Sequence, residues 1–120
     1  MNIDRIDLAY EANRKAVENW HAIQISCPQC AFFAESKNFK DKKIAHFTLR
    51  EKMRHFWWGL CAYHIDEVDS ALRESDELHF AVERELGLEA DGYFRKLPDG
   101  RTCTIHTKVW YDYLLSLASK

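Results

Sequence analysis

The chain has 120 residues, of which 47% are hydrophobic and 13% aromatic, and its formal net charge is −2 at pH 7. This length predicts one domain, residues 1–120, and the aromatic content excludes a disordered chain. Glycine and proline number only four and two, which disfavours an all-β fold with many tight turns. The balanced charge makes neither nucleic acid binding nor nucleic acid mimicry the default expectation.

The first predicted element is a helix over residues 4–24. Its apolar residues recur at helical spacing, and Asp4 and Asp7 fall in the first turn, where negative charge suits the helix dipole. The apolar residues are Ile6, Ala9, Tyr10, Ala16, Val17, Trp20 and Ile23. We expect this stripe to pack on the core.

The next segment begins with Cys27-Pro28-Gln29-Cys30. Proline between the cysteines disfavours a helix through the pair and predicts a turned knuckle. A hairpin is predicted across residues 31–49, because apolar runs flank a lysine-rich turn. The capping-box spacing of Thr48 to Glu51 also predicts a short helix from residue 49 to about 57, which competes for part of this segment.

The clearest helix runs from Cys61 to Leu86. Seven residues form a seam with alternating steps of three and four, and Gly87 lies where a helix C-cap belongs. The seam residues are Ile65, Val68, Leu72, Ser75, His79, Val82 and Leu86. A break at Ser75-Asp76 is also considered, because both residue types favour caps. His79 is interpreted as a core or interface histidine rather than a metal ligand.

The last two elements are a β-hairpin over residues 93–106 and a helix from Thr107 to the end. Leu97-Pro98-Asp99-Gly100 supplies a typical turn sequence for the hairpin. Apolar residues on one side of the final segment predict the helix.

The four cysteines show a spacing typical of metal sites. Cys27 precedes Cys30, Cys61 precedes His64 and Cys103 precedes His106, each by three residues. Zinc prefers four sulfur or nitrogen ligands in a tetrahedron, and residues i and i+3 in the first turn of a helix share a face. In a strand, i and i+3 face opposite ways.

The first-ranked ligand set is therefore Cys27, Cys30, Cys61 and His64. The second set replaces the last pair with Cys103 and His106 and requires a turn at residues 103–106. A site that recruits His21 ranks third. Because four protein ligands close the coordination sphere, the predicted Zn²⁺ is structural rather than catalytic.

The predicted order of elements is a knuckle, a hairpin and then a helix whose first turn supplies the last two ligands. This order resembles a treble-clef zinc finger. The resemblance covers about residues 26–75 and rests on Cys27-Pro28-Gln29-Cys30 and Cys61-Ala62-Tyr63-His64. The predicted fold class is α+β and helix-dominated. It is a small zinc-stabilised domain with an N-terminal helix, a zinc knuckle and hairpin, a long central helix, and a C-terminal β-hairpin and helix.

The main functional hypothesis is a non-enzymatic regulator, adaptor or inhibitor that acts through protein contacts. Common hydrolase, P-loop, zinc-protease and deaminase motifs are missing from the sequence. The predicted partner-binding residues are Lys42, Lys43, Arg50, Arg54, Trp57 and Trp58. An acidic helix face with Asp66, Glu67, Asp69, Glu74, Glu77 and Glu83 is a second candidate surface for a basic partner.

Two alternatives remain open. Residues 37–58 mix lysines and arginines with aromatic rings, a combination that suits nucleic acid binding through phosphates and bases. The Cys27–Cys30 motif also resembles the redox motif of thioredoxin-like proteins, which requires a strand at 22–26 and a helix at 31–38. Its nucleophile would be a low-pKa thiolate.

Signal-peptide and membrane-span patterns are missing from the sequence, so a cytoplasmic location is expected. In a reducing compartment, cysteines favour metal or redox chemistry over disulfides. A monomer is expected, or a homodimer that pairs two copies of the 61–86 helix.

Overall fold

A computed structural model describes residues 3–35 and 61–119 of the chain. These residues form helices α1 (Ile3–Ser26), α2 (Pro28–Glu35), α3 (Ala62–Glu85) and α4 (Lys108–Ala118), with strands β1 (Phe94–Lys96) and β2 (Thr102–Thr104) before α4. The two strands pair antiparallel. The predicted helix-dominated α+β class is confirmed, as are the N-terminal helix, the central helix, the C-terminal hairpin and the final helix.

Contacts between residues divide the chain into two compact units. One, here called the cysteine unit, is Arg14–Arg73, and the other, the terminal unit, combines Met1–Asn13 with Glu74–Lys120. Each has its own apolar core. The core of the cysteine unit contains Ala16, Trp20, Ile23, Cys30, Phe33, Ala34, Cys61, Val68 and Leu72. The core of the terminal unit contains Ile6, Ala9, Val82, Leu97, Trp110 and Leu114. The single-domain organisation stays a prediction.

The junction of α1 and α2 differs from the predicted turned knuckle. Helix α1 runs to Ser26, and α2 then begins at Pro28 itself. Proline is accepted there because the first residue of a helix has no intrahelical partner for its N–H, and the ring presets a helical φ. The strand proposed at residues 22–26 for a redox fold is therefore wrong, since those residues complete α1.

The hairpin predicted across residues 31–49 is wrong at its first strand. Residues 31–35 belong to α2, where Phe33 and Ala34 face the core and Phe32 faces solvent. The remainder of that hairpin and the competing helix at 49 to 57 lie outside the described residues. So do Lys42, Lys43, Arg50, Arg54, Trp57 and Trp58.

Helix α3 follows the predicted seam and ends as predicted. It continues through Ser75 and Asp76, both buried, so the break considered there is wrong. Gly87, at φ 78°, ends the helix. The Leu88 N–H donates to the Glu83 carbonyl at 3.0 Å and the Gly87 N–H to the Arg84 carbonyl at 3.0 Å, the two bonds of a Schellman cap.

The C-terminal hairpin places Arg95 opposite Cys103. Its turn closes with a bond from the Gly100 N–H to the Leu97 carbonyl, 2.9 Å. Asp99 accepts from the Arg101 backbone and side chain, which lowers the pKa of Asp99. Helix α4 then supplies Trp110 and Leu114 to the core, which fixes the hairpin and the helix in one unit.

Candidate metal centre

The four first-ranked ligands occupy equivalent positions at two helix N-termini. Cys27 immediately precedes α2, and its carbonyl accepts from the Ala31 N–H at 3.0 Å. Cys61 immediately precedes α3, and its carbonyl accepts from the Ile65 N–H at 3.0 Å. Cys30 and His64 lie three residues further on, in the first turn of each helix. Each pair therefore presents two side chains on one helix face.

The ligand atoms of Cys27, Cys30, Cys61 and His64 all lie within 4.8 Å of one another. Cys30 Sγ is 3.5 Å from His64 Nδ1. A tetrahedral zinc ion about 2.3 Å from sulfur and about 2.0–2.1 Å from nitrogen would place those two atoms about 3.5 Å apart. This distance is compatible with a metal ion held between Cys30 Sγ and His64 Nδ1.

The centre is half enclosed by the core of its unit. Cys30 is fully buried and Cys61 is 8% exposed, whereas Cys27 and His64 are half-buried. Trp20 and Phe33 pack edge to face in the same core, with ring centroids 6.5 Å apart. A metal ion at this position would thus tie both helix N-termini to the core.

The two thiols of the first pair differ in acidity. The Cys30 N–H donates to the Cys27 sulfur and, against the opposing effect of burial, lowers the pKa of Cys27 to about 7. Burial raises the pKa of Cys30 to about 11, although a backbone hydrogen bond from Cys61 acts in the opposite direction. Since metals bind thiolates, metal binding must displace a proton from Cys30 at neutral pH.

The alternative ligands are not part of this cluster. The second-ranked set needs a turn at residues 103–106, but the turn covers only residues 105–106, and His106 Nε2 lies 2.8 Å from Asp76 Oδ1. Cys103 belongs to β2, and His21 is exposed on α1. Within residues 3–35 and 61–119, potential metal ligands cluster in a group of three or more at one place, formed by Cys27, Cys30, Cys61 and His64.

The terminal unit contains a buried polar cluster that was not predicted from the sequence. Glu83 was assigned to an exposed acidic face, but it is 2% exposed. Its carboxylate accepts from Arg95 Nε at 2.7 Å, Arg95 Nη2 at 2.8 Å and Trp110 Nε1 at 2.9 Å. The helical spacing contained a signal for this burial, because Glu83 follows His79 by four residues and lies beside the seam.

His79 is buried, as its interpretation as a core histidine implied. Its Nε2 lies 3.2 Å from Glu83 Oε2, yet that nitrogen forms no well-aligned hydrogen bond with a described residue. His79 therefore contacts the Glu83 carboxylate but does not donate a well-aligned hydrogen bond to it from Nε2.

Protein-family models, curated protein sequences and solved structures give no match to this chain. Among the helices of residues 3–35 and 61–119, none is long and apolar enough to cross a membrane.

Proposed function

We propose that this chain is a small non-enzymatic zinc protein that acts through contacts with another protein. Three sulfur ligands and one imidazole suit Zn²⁺, and four protein ligands leave no open position for a catalytic water. As in a treble-clef finger, the second ligand pair lies at the start of a helix, α3. The chain departs from that pattern at α2, which is a helix where the treble clef has the first strand of its hairpin.

The observation that favours protein recognition is a set of exposed apolar side chains beside the ligands. Ile25 is 89% exposed, Phe32 80% and Tyr63 90%. Each lies within two residues of a ligand in the chain, so a metal ion that fixes the ligand also restricts the backbone carrying the apolar side chain. Rigid aromatic side chains are typical anchors of protein interfaces.

Metal analysis tests the first half of this proposal. Natively purified, tag-free protein is expected to contain one zinc per chain, and a strong chelator is expected to unfold the cysteine unit, because structural zinc binding is coupled to folding. Elemental analysis and circular dichroism measure the two effects.

The opposite outcome favours a second candidate function. The low pKa of the Cys27 thiol at a helix N-terminus, beside the buried Cys30, also suits thiol–disulfide exchange. Metal-free protein with an intact fold and a Cys27–Cys30 disulfide would support that redox function over the zinc protein. The nucleic acid alternative depends on residues 37–58, all of which lie outside the described residues, and stays a prediction from the sequence.

Paired surface variants test protein recognition. The double variant Phe32→Ser/Tyr63→Ser is expected to keep its zinc and its fold, because both side chains are exposed, and to lose a bound partner in quantitative affinity purification. Phe94→Ser is the matched control, since Phe94 is 53% exposed in the terminal unit. Equal recovery of the same proteins by both variants would argue against this surface.

A further inference from the structure

Two buried histidines meet in the terminal unit, outside the metal centre. His79 comes from α3 and is 4% exposed, and the side chain of His106, in the turn after β2, is 7% exposed. Their ring centroids are 5.0 Å apart. His106 has a φ of 67°, a left-handed conformation that is uncommon for a residue with a side chain and persists only where its surroundings enforce it.

The hydrogen bonds define the neutral form of His106. Its Nε2 is 2.8 Å from Asp76 Oδ1, and a carboxylate accepts, so Nε2 carries the proton and Nδ1 keeps a lone pair. That Nδ1 is buried and makes no hydrogen bond within the described part of the chain. Adding a proton to Nδ1 would therefore create a buried donor with no acceptor among the described residues, and leaving such a group unsatisfied is costly.

Little space is available to hydrate the added charge. Both histidines line a cavity of about 10 Å³, which has room for about one water molecule. Its other walls are largely apolar, and they include Ile6, Ala9, Val82 and Leu114. A charged imidazolium here would exchange bulk hydration for a site with room for about one water.

Charged and titratable groups approach the pair from each neighbouring element. Helix α3 supplies Asp76 and Glu83, and β1 supplies Arg95, which neutralises Glu83. Tyr10 of α1 and Tyr111 of α4 line the cavity, and the Tyr111 hydroxyl donates to Asp7.

These opposing influences leave a net preference for neutral His106. Burial lowers the pKa of His106 and nearby His79 lowers it further, although Asp76 and Glu83 raise it.

We propose that the His79–His106 pair is an acid-sensing element of the terminal unit, in which proton uptake by His106 favours opening of the unit. When the folded-state pKa of a histidine lies below its unfolded value of about 6.5, the histidine stabilises the fold less and less as the pH falls below that value. One such histidine lowers the equilibrium constant for folding by up to about tenfold as the pH falls from 7.5 to 5.5. The pKa of Glu83, about 2, keeps that carboxylate ionised in this window.

Hydrogen exchange of α4 amides in zinc-saturated protein tests the proposal, after correction for intrinsic exchange rates. Protection in the native protein is expected to fall by up to about tenfold from pH 7.5 to 5.5, and in His106→Gln by less than about twofold. Glutamine can still donate to Asp76 but does not titrate. His21→Gln, at an exposed position on α1, should behave like the native protein. The same pH dependence in native protein and His106→Gln would overturn the proposal.

A direct titration covers the case in which His106→Gln does not fold. The ring carbon shifts of His106 in native protein, followed by NMR, are expected to remain those of the neutral imidazole while α4 stays protected. A His106 that protonates at or above pH 6.5 in the folded protein would refute acid sensing by this pair.

Discussion

Replacing Cys61 with serine is expected to release the metal and unfold the cysteine unit. Serine retains the size of the side chain but removes a thiolate ligand, and Cys61 lies in the core of this unit at the start of α3. Structural zinc binding contributes about 10–16 kcal/mol in finger peptides, which is comparable to the whole stability of a small domain, about 5–15 kcal/mol. Elemental analysis would measure the zinc, and hydrogen exchange of α2 would measure the loss of structure.

Cys103→Ser is the matched control for that substitution. Cys103 pairs across the hairpin with Arg95 and is not among the clustered ligands, so we expect the variant to keep one zinc per chain. If Cys103→Ser lost the metal and Cys61→Ser kept it, the ligand set with Cys103 and His106 would replace the first-ranked set.

Glu83→Gln is expected to destabilise the terminal unit by about 3–5 kcal/mol, the usual cost of leaving one partner of a buried ion pair uncompensated. Arg95 is 5% exposed and donates two hydrogen bonds to the Glu83 carboxylate, so the substitution strands a buried guanidinium. Urea unfolding and the Tm measure the loss. Glu77→Gln, at an exposed position on α3, should have an effect within about 0.5 kcal/mol.

The pH dependence of stability provides a second measurement that distinguishes native protein from Glu83→Gln. Burial by itself would raise the pKa of Glu83, but hydrogen bonds from Arg95 and contacts with His79 outweigh it and lower the pKa from 4.5 to about 2. The stabilisation is therefore complete above pH 4.5 and is lost as the pH falls toward 2. Native protein should lose stability through that window, whereas Glu83→Gln should lose about 3 kcal/mol less. Equal losses would contradict the ion-pair account.

The elements that the sequence predicted best have local physical causes. The seam of α3 repeats over several turns, and Gly87 supplies the left-handed cap that ends the helix. The turn at residues 97–100 needs only its own residues to close. The approach of Cys61 to His64 was predictable because an i, i+3 pair at a helix start shares a face. Cys27 and Cys30 were expected to come together in a turned knuckle, not in the first turn of α2.

The features that were predicted wrongly depend on contacts with residues distant in the chain or on where helix α2 begins. Pro28 is compatible with a turn and with the first residue of a helix, and only the continuation through residues 31–35 decides between them. Glu83 looks like part of a solvated face until Arg95 and Trp110 reach it across the fold. His106 meets Asp76 from 30 residues away, and no local pattern encodes that contact.

Cys103 is not part of the cluster of metal ligands, and this has a practical consequence. Cys103 lies half-buried in β2, while Cys27, Cys30 and Cys61 lie together at the candidate metal centre. With those three sulfurs bound to metal, a thiol-directed dye would attach selectively to the hairpin. Any further dye bound per chain would report sulfurs that the metal has released. The number of dye molecules per chain would therefore measure metal loss.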